Sequence, residues 1–144
     1  MSVHETRNGY KHFKAIPTRW MDNDLYGHVN NVLYYSYVDT VTNEYLITEG
    51  GLDIHNDPVI GVAVESHCNF YQPLVFPETV LAGLRVGRIG TTSVRYEIGL
   101  FRESSETVCA TAHFVHVFVD RATNKPAPIP DKLRVCLNKI STEN

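Results

Sequence analysis

One stretch of helical period followed by about sixty residues of period two leaves few folds open to this chain. From Asn31 to about Glu49, Tyr34, Tyr37, Val38, Val41, Tyr45 and Thr48 recur every three or four residues, which places them along one helix face. Asn30 is a residue type that caps helix N-termini, and Gly50-Gly51 supplies a stop. A long helix over Asn31–Glu49 is predicted.

The period changes after Pro58. Ile60, Val62, Val64, Cys68 and Phe70 fall on one face of a strand, with Glu65, His67, Asn69 and Tyr71 on the other. Gln72-Pro73 and Phe76-Pro77 mark a turn, Val80, Ala82, Leu84 and Val86 alternate through the next strand, and Gly87 to Gly90 closes it. Val94, Tyr96, Ile98 and Leu100 make a third strand, and Glu103 to Glu106 a polar hairpin turn. Val108 to Val119 is apolar on both faces, the pattern of a central strand buried on two sides. Asp120 to Pro130 reads as a loop, and Leu133, Cys136, Leu137 and Ile140 fit a short terminal helix. Ahead of the long helix, Tyr10 to Trp20 reads as a strand whose Pro17 is tolerable near an edge or a bulge. Strand, long helix, then four strands at hairpin spacing imply an α+β class with an antiparallel sheet of about five strands, and residues 1–144 are expected to form one domain.

Composition removes several partners. Thirteen Lys and Arg against sixteen Asp and Glu leave a net charge of −3 without a basic run, which argues against nucleic acid. The segment Met1 to Tyr10 has no apolar core of a signal peptide, and no apolar stretch approaches the roughly 20 residues that span a bilayer. A soluble cytoplasmic protein without a membrane partner is expected. Cys68, Cys109 and Cys136 are far apart and lie in apolar periodic segments, so they read as small buried hydrophobes. His113 and His116 point to opposite faces of a strand and cannot chelate one ion together, so no metal is expected.

The chemistry concentrates before the long helix. The run W-M-D-N-D-L-Y-G-H-V-N-N, from Trp20 to Asn31, packs carboxylates and a histidine against a helix start. Unpaired N–H groups and the positive dipole end there can hold a developing oxyanion while a neighbouring carboxylate attacks or steers water. Asp24, His28 and Asn30 are the first candidates. Asp22 is expected to cap the turn or pair with Arg19, and Asn30 to cap the helix. His28 suits either catalytic support or holding the loop, since histidine is the residue type that can give or take a proton near neutral pH.

The motif D-x-D-x-x-G-H-V-N-N at a helix start, followed by a four-strand meander, resembles the hotdog-fold acyl-thioester hydrolases of the 4-hydroxybenzoyl-CoA thioesterase superfamily. The stretch F-Y-Q-P-L-x-F-P-E, Phe70 to Glu78, is similar to that family's strand exit, and the resemblance covers about Phe13 to Asp120. It implies a sheet wrapping the helix, hydrolysis of acyl-CoA to free acid and coenzyme A, and no cofactor beyond the coenzyme A of the substrate. Asp24 matches the catalytic aspartate, as nucleophile or general base, and Gly27 the glycine after it. The backbone N–H of Asn31 falls where the family polarises the thioester carbonyl. Tyr26, Gly27, Asn30, Tyr34, Glu65 and His67 are the substrate-binding candidates, and Tyr34, Tyr35 and Tyr37 are expected in the core and lining a tunnel. The plant-type acyl-carrier-protein thioesterases share Asp24 and His28, but Tyr26 stands where their motif has Asn.

Family members pair the strand after the helix across a two-fold axis, so a homodimer or homotetramer is implied. Glu44 matches a carboxylate used by another hotdog subgroup, although a solvated or core-edge glutamate is the plainer reading. Alternative readings are an enoyl-thioester hydratase or dehydratase, whose D-x-N-P-x-H pattern this chain lacks, and a non-catalytic acyl-binding subunit.

Overall fold

Alternation after Pro58 builds four strands in sequence. The structure, a computed structural model describing residues 5–142, runs β1 (His12–Pro17), α1 (Asn31–Thr48), β2 (Val59–Phe70), β3 (Thr79–Ile89), β4 (Ser93–Arg102), β5 (Ala110–Asp120) and α2 (Asp131–Asn138). The strands form one antiparallel sheet in the order β1-β3-β4-β5-β2, so β1 and β2 are its edges. Helix α1 touches β3 and both edge strands, and the sheet therefore curls around it as in a hotdog fold.

Helix α1 is set by its ends and one face. Asn30 Oδ1 accepts the Val32 N–H at 3.0 Å, and Gly51, at φ 69°, takes the left-handed conformation that ends the turn. Val38, Val41 and Leu46 are closed to solvent in one cluster with Ala82, Leu84, Tyr96, Ile98, Phe114 and Phe118 of the sheet. Each such aliphatic side chain contributes about 1.5–3 kcal/mol by leaving water. Tyr45 Oη donates to the Cys136 carbonyl at 2.5 Å and ties α2 to α1.

The alternation misplaces part of β2. The register slips between Ala63 and Glu65, leaving Val64 as the extra residue of a bulge. Gly61 and Ala63 before it, and Ser66 and Cys68 after it, pair with the inward residues Phe118, His116, Phe114 and Ala112. Ile60 and Val62 therefore share the outer face with Glu65 and His67, and not the face of Cys68 and Phe70.

Other boundaries also shift. The first strand is His12–Pro17 and not Tyr10–Trp20, because Tyr10 is drawn into a separate cluster with Phe101 and Val108 and Trp20–Asp22 closes a 3-10 turn. Pro17 ends that edge strand. β3 runs through a bulge between Val86 and Arg88 to Ile89 instead of closing at Gly87. β5 occupies an interior place in the sheet, but its outer face is only half-buried. Tyr34 and Tyr37 are buried while Tyr35 is exposed, and Glu44 pairs with Lys14 at 2.5 Å at the edge of the core.

Candidate active site

Five residues before α1 close on themselves. The Asp24 N–H donates to the His28 carbonyl at 2.8 Å, and the Gly27 N–H to the Asp24 carbonyl at 3.2 Å. Asp24 Oδ1 accepts the N–H of Tyr26 at 2.8 Å and that of His28 at 3.3 Å. Gly27 sits at φ 80°, a conformation that side chains with a Cβ adopt only at a cost, and this turns the chain back. Among the described residues Asp24 Oδ2 has no hydrogen bond, so one carboxylate oxygen anchors the loop and the other is left for chemistry.

The loop is bolted to the body of the protein beneath. Asp22, 2% exposed, takes Arg19 Nε at 2.9 Å and accepts the Arg19 N–H at 2.8 Å, as its spacing suggested. The Asn30 N–H donates to the Asp22 carbonyl at 2.9 Å, and Tyr37 Oη reaches Asp22 Oδ2 at 3.4 Å. Burial, then the Asp22 charge, pushes the Tyr37 phenol up to about 12, so it stays a donor. On the other side the Val29 N–H bonds to the Leu74 carbonyl at 2.9 Å, and the Leu74 N–H to Tyr34 Oη at 3.0 Å.

These contacts form a cavity of about 420 Å³ lined by Asp24, His28, Val29, Asn30, Asn31 and Tyr34 from the loop and α1. Its far wall is Phe70, Tyr71, Gln72 and Pro73 at the exit of β2. Phe70 stands edge-on to Tyr34 with ring centroids 4.9 Å apart, and burial raises the Tyr34 phenol above its usual range. The Asn31 N–H is in the first turn of α1, where a helix offers no carbonyl of its own, and no acidic residue in that turn offsets the positive dipole end. A carboxylate oxygen, an imidazole and a helix N-terminus thus line one cavity, an arrangement suited to attack on a carbonyl with the oxyanion held by N–H groups.

Sequence candidates divide between this cavity and other places. Asp24, His28, Asn30, Asn31 and Tyr34 line it. The Asn30 side chain is used as the helix cap, and the His28 ring has no hydrogen bond among the described residues. Tyr26 contributes its backbone N–H while its side chain is 85% exposed, and Gly27 shapes the turn. Glu65 and His67 lie elsewhere, on the outer face of the sheet, where Glu65 Oε2 is 2.6 Å from His113 Nε2 and His67 stacks on His113. The wall from Phe70 to Pro73 was not among the site candidates, although the resemblance of that stretch to a family strand exit was the available signal.

A second cavity, about 480 Å³, opens between α1 and β2, lined by Tyr35, Ser36, Val38, Asp39, Ala63, Ser66 and Phe114. The cysteines are free and buried, and burial pushes the Cys68 and Cys136 thiols up to about 11, far from the thiolate a nucleophile needs. His116 points into the core and His113 away from it. Among the described residues no group of three His, Cys, Asp or Glu side chains is placed to hold a metal ion, and no helix is long and apolar enough to cross a membrane.

Residues 18–137 match the sequence profile of the Thioesterase-like superfamily. The chain belongs to that superfamily. Thioester hydrolysis is the chemistry of this family, and a loop carboxylate beside a helix start is consistent with it. The PA5185 protein from Pseudomonas aeruginosa is 48% identical, with a TM-score of 0.95 over 98% of this chain and 99% of its own. The PA2801 protein of the same organism is 34% identical, with a TM-score of 0.82 over 88% of this chain and 97% of its own. Slr0204, a 1,4-dihydroxy-2-naphthoyl-CoA thioesterase from Synechocystis, shares the fold at 16% identity, with a TM-score of 0.79 over 88% of this chain and 94% of its own. None of the curated proteins matches the chain in sequence.

Proposed function

We propose that this superfamily member hydrolyses acyl-CoA thioesters, with Asp24 as nucleophile or general base and the Asn31 N–H as oxyanion donor. The observation that carries the reading is the split role of the Asp24 carboxylate: Oδ1 fixed by two backbone N–H groups, Oδ2 unbonded in the cavity that also holds the helix start. As nucleophile, Oδ2 adds to the thioester carbonyl, the coenzyme A thiolate leaves, and water cleaves the resulting anhydride. As general base, Asp24 takes a proton from the water that adds instead. In both routes the negative oxygen passes through a tetrahedral intermediate at the N-terminus of α1, where fixed dipoles stabilise it. His28 lies beside the leaving sulfur or the attacking water, and Tyr34 with Phe70 forms an aromatic wall of the cavity. The second cavity, with small Ala63 and Ser66 on β2, offers room for the acyl group.

A homodimer fits this reading, because β2 is an edge strand exposed along most of its length and lies beside both cavities. The test is thiol release from saturated acyl-CoAs, on which no hydratase can act. Asp24→Asn retains an oxygen acceptor for the Tyr26 and His28 N–H groups, so it should keep the fold and still bind acyl-CoA. Loss of the carboxylate should lower the rate by about a hundredfold to ten-thousandfold. Near-normal hydrolysis by Asp24→Asn would make Asp24 a loop anchor only. Enoyl hydration without thiol release from any saturated chain would assign the protein to the hydratases.

A further inference from the structure

On the outer face of the sheet one row of side chains crosses four strands. Arg88 of β3 is directly opposite Arg95 of β4, Arg95 is opposite Val115 of β5, and Val115 is opposite Glu65 of β2. Both bulges of the sheet occur at this row, one between Val86 and Arg88 and the other between Ala63 and Glu65. Bulges re-aim side chains, and here they bound a cavity of about 390 Å³ lined by Glu65, Arg88, Gly90, Ser93, Arg95 and Val115.

The charges in the row are not arranged for stability. Like charges directly opposite on neighbouring strands destabilise a sheet, and Arg88 and Arg95 are such a pair. Arg88 has no hydrogen bond or ion pair among the described residues. Arg95 has only a 3.6 Å approach to Glu97 Oε2, and the other oxygen of Glu97 is taken by Arg85 Nε at 2.8 Å. The one carboxylate in the cavity, Glu65, is across Val115 from Arg95 and is engaged by His113 at 2.6 Å. Arg88, which has no counter-charge among the described residues, and Arg95, which shares Glu97 with Arg85, stand beside the Ser93 hydroxyl and form a donor set matched to a phosphate, whose two or more negative charges would relieve their repulsion.

We propose that this outer-face cavity binds a phosphate-bearing anion through Arg88, Arg95 and Ser93. The chemistry is that of a phosphate monoester or pyrophosphate. Its source is either the nucleotide end of a coenzyme A substrate or a free phosphorylated ligand, and only the choice between these two rests on the thioesterase reading.

Titration calorimetry of the full chain at low ionic strength, with inorganic pyrophosphate and with adenosine 3′,5′-bisphosphate, tests the site without any turnover. Binding of at least one of these probes is expected, weakened about tenfold or more in Arg88→Gln and in Arg95→Gln, the loss typical of a charge-assisted hydrogen bond. Thermal melts of both variants should match or exceed the parent, since neither arginine holds the fold and removing either one relieves their repulsion. Hydrolysis of acyl-CoA compared with acyl-pantetheine then separates the sources. A KM raised by Arg88→Gln for acyl-CoA alone identifies the substrate's nucleotide end, whereas lost pyrophosphate binding with both KM values unchanged identifies a free ligand. Absence of heat from both probes with the parent protein, or affinity that survives both substitutions, overturns the proposal whether or not thioesters are hydrolysed.

Discussion

Tyr96 Oη lies 3.0 Å from His116 Nδ1 in a part of the core where both residues are closed to solvent. The pair is walled by Phe114 and Phe118, and no carboxylate is bonded to it. Burial holds the imidazole down, from 6.5 to about 4, so the folded protein keeps it neutral where the unfolded chain would protonate it.

This makes His116 a source of acid sensitivity. Its contribution is fully present above pH 6.5 and is lost as the pH falls towards about 4, because the unfolded state alone takes up the proton in that window. The full loss is on the order of 3 kcal/mol. Urea unfolding across that range should show stability falling with pH in the parent and a shallower fall in His116→Gln. Equal slopes would remove His116 from the account.

Tyr96→Phe should destabilise at neutral pH as well. It leaves His116 Nδ1 buried without its partner, at a cost of about 1–3 kcal/mol. Chemical denaturation should register that loss as a lower midpoint with an unchanged slope.

Gly27→Ala tests the geometry of the Asp24 loop. Among the described residues no atom beyond the two chain neighbours lies within 4 Å of an added Cβ, so the cost comes from the left-handed backbone alone, about 1–2 kcal/mol. If the loop relaxes to avoid that strain, Asp24 Oδ1 loses its two N–H donors and kcat should fall with the melting temperature. Gly27→Asn should be milder on both measures, since Asn tolerates this region. Unchanged melting in the Ala variant would mean that the loop is free to adopt another turn.

What could be read in the chain was whatever depends on neighbours in sequence. Helix α1 was visible because Tyr34, Val38, Val41 and Tyr45 repeat at its period, and Asp24, His28, Asn30 and Asn31 were found together because one tight turn holds them. The face of Glu65 was not readable, since the bulge residue Val64 continues an apolar alternation that only the register with β5 interrupts. The wall from Phe70 to Pro73 was missed as part of the site for a related reason. It meets Asp24 only because the Val29 to Leu74 and Leu74 to Tyr34 hydrogen bonds carry the exit of β2 back to the start of α1. Likewise the pairing of Arg88 with Arg95 exists only in the register of β3 and β4, where Gly87 reads locally as the end of a strand.

The edge strand supplies the last prediction. β2 is twelve residues long, and Val62 and Val64 on it are 42% and 59% exposed, an apolar edge of the kind that recruits another strand. If two chains pair there about a two-fold axis, every substitution on β2 enters the interface twice, so a lysine introduced near the axis meets its own copy. The double variant Val62→Lys, Val64→Lys should keep its circular dichroism, because neither side chain belongs to the core cluster. Light scattering should find the parent above the 16.3 kDa of one chain and the variant close to it. If the cavity beside Phe70 is completed by the partner, thiol release should fall with the dimer and recover at high protein concentration. A parent protein that is monomeric and fully active would show instead that Asp24, Asn31 and the exit of β2 make a complete site within one chain.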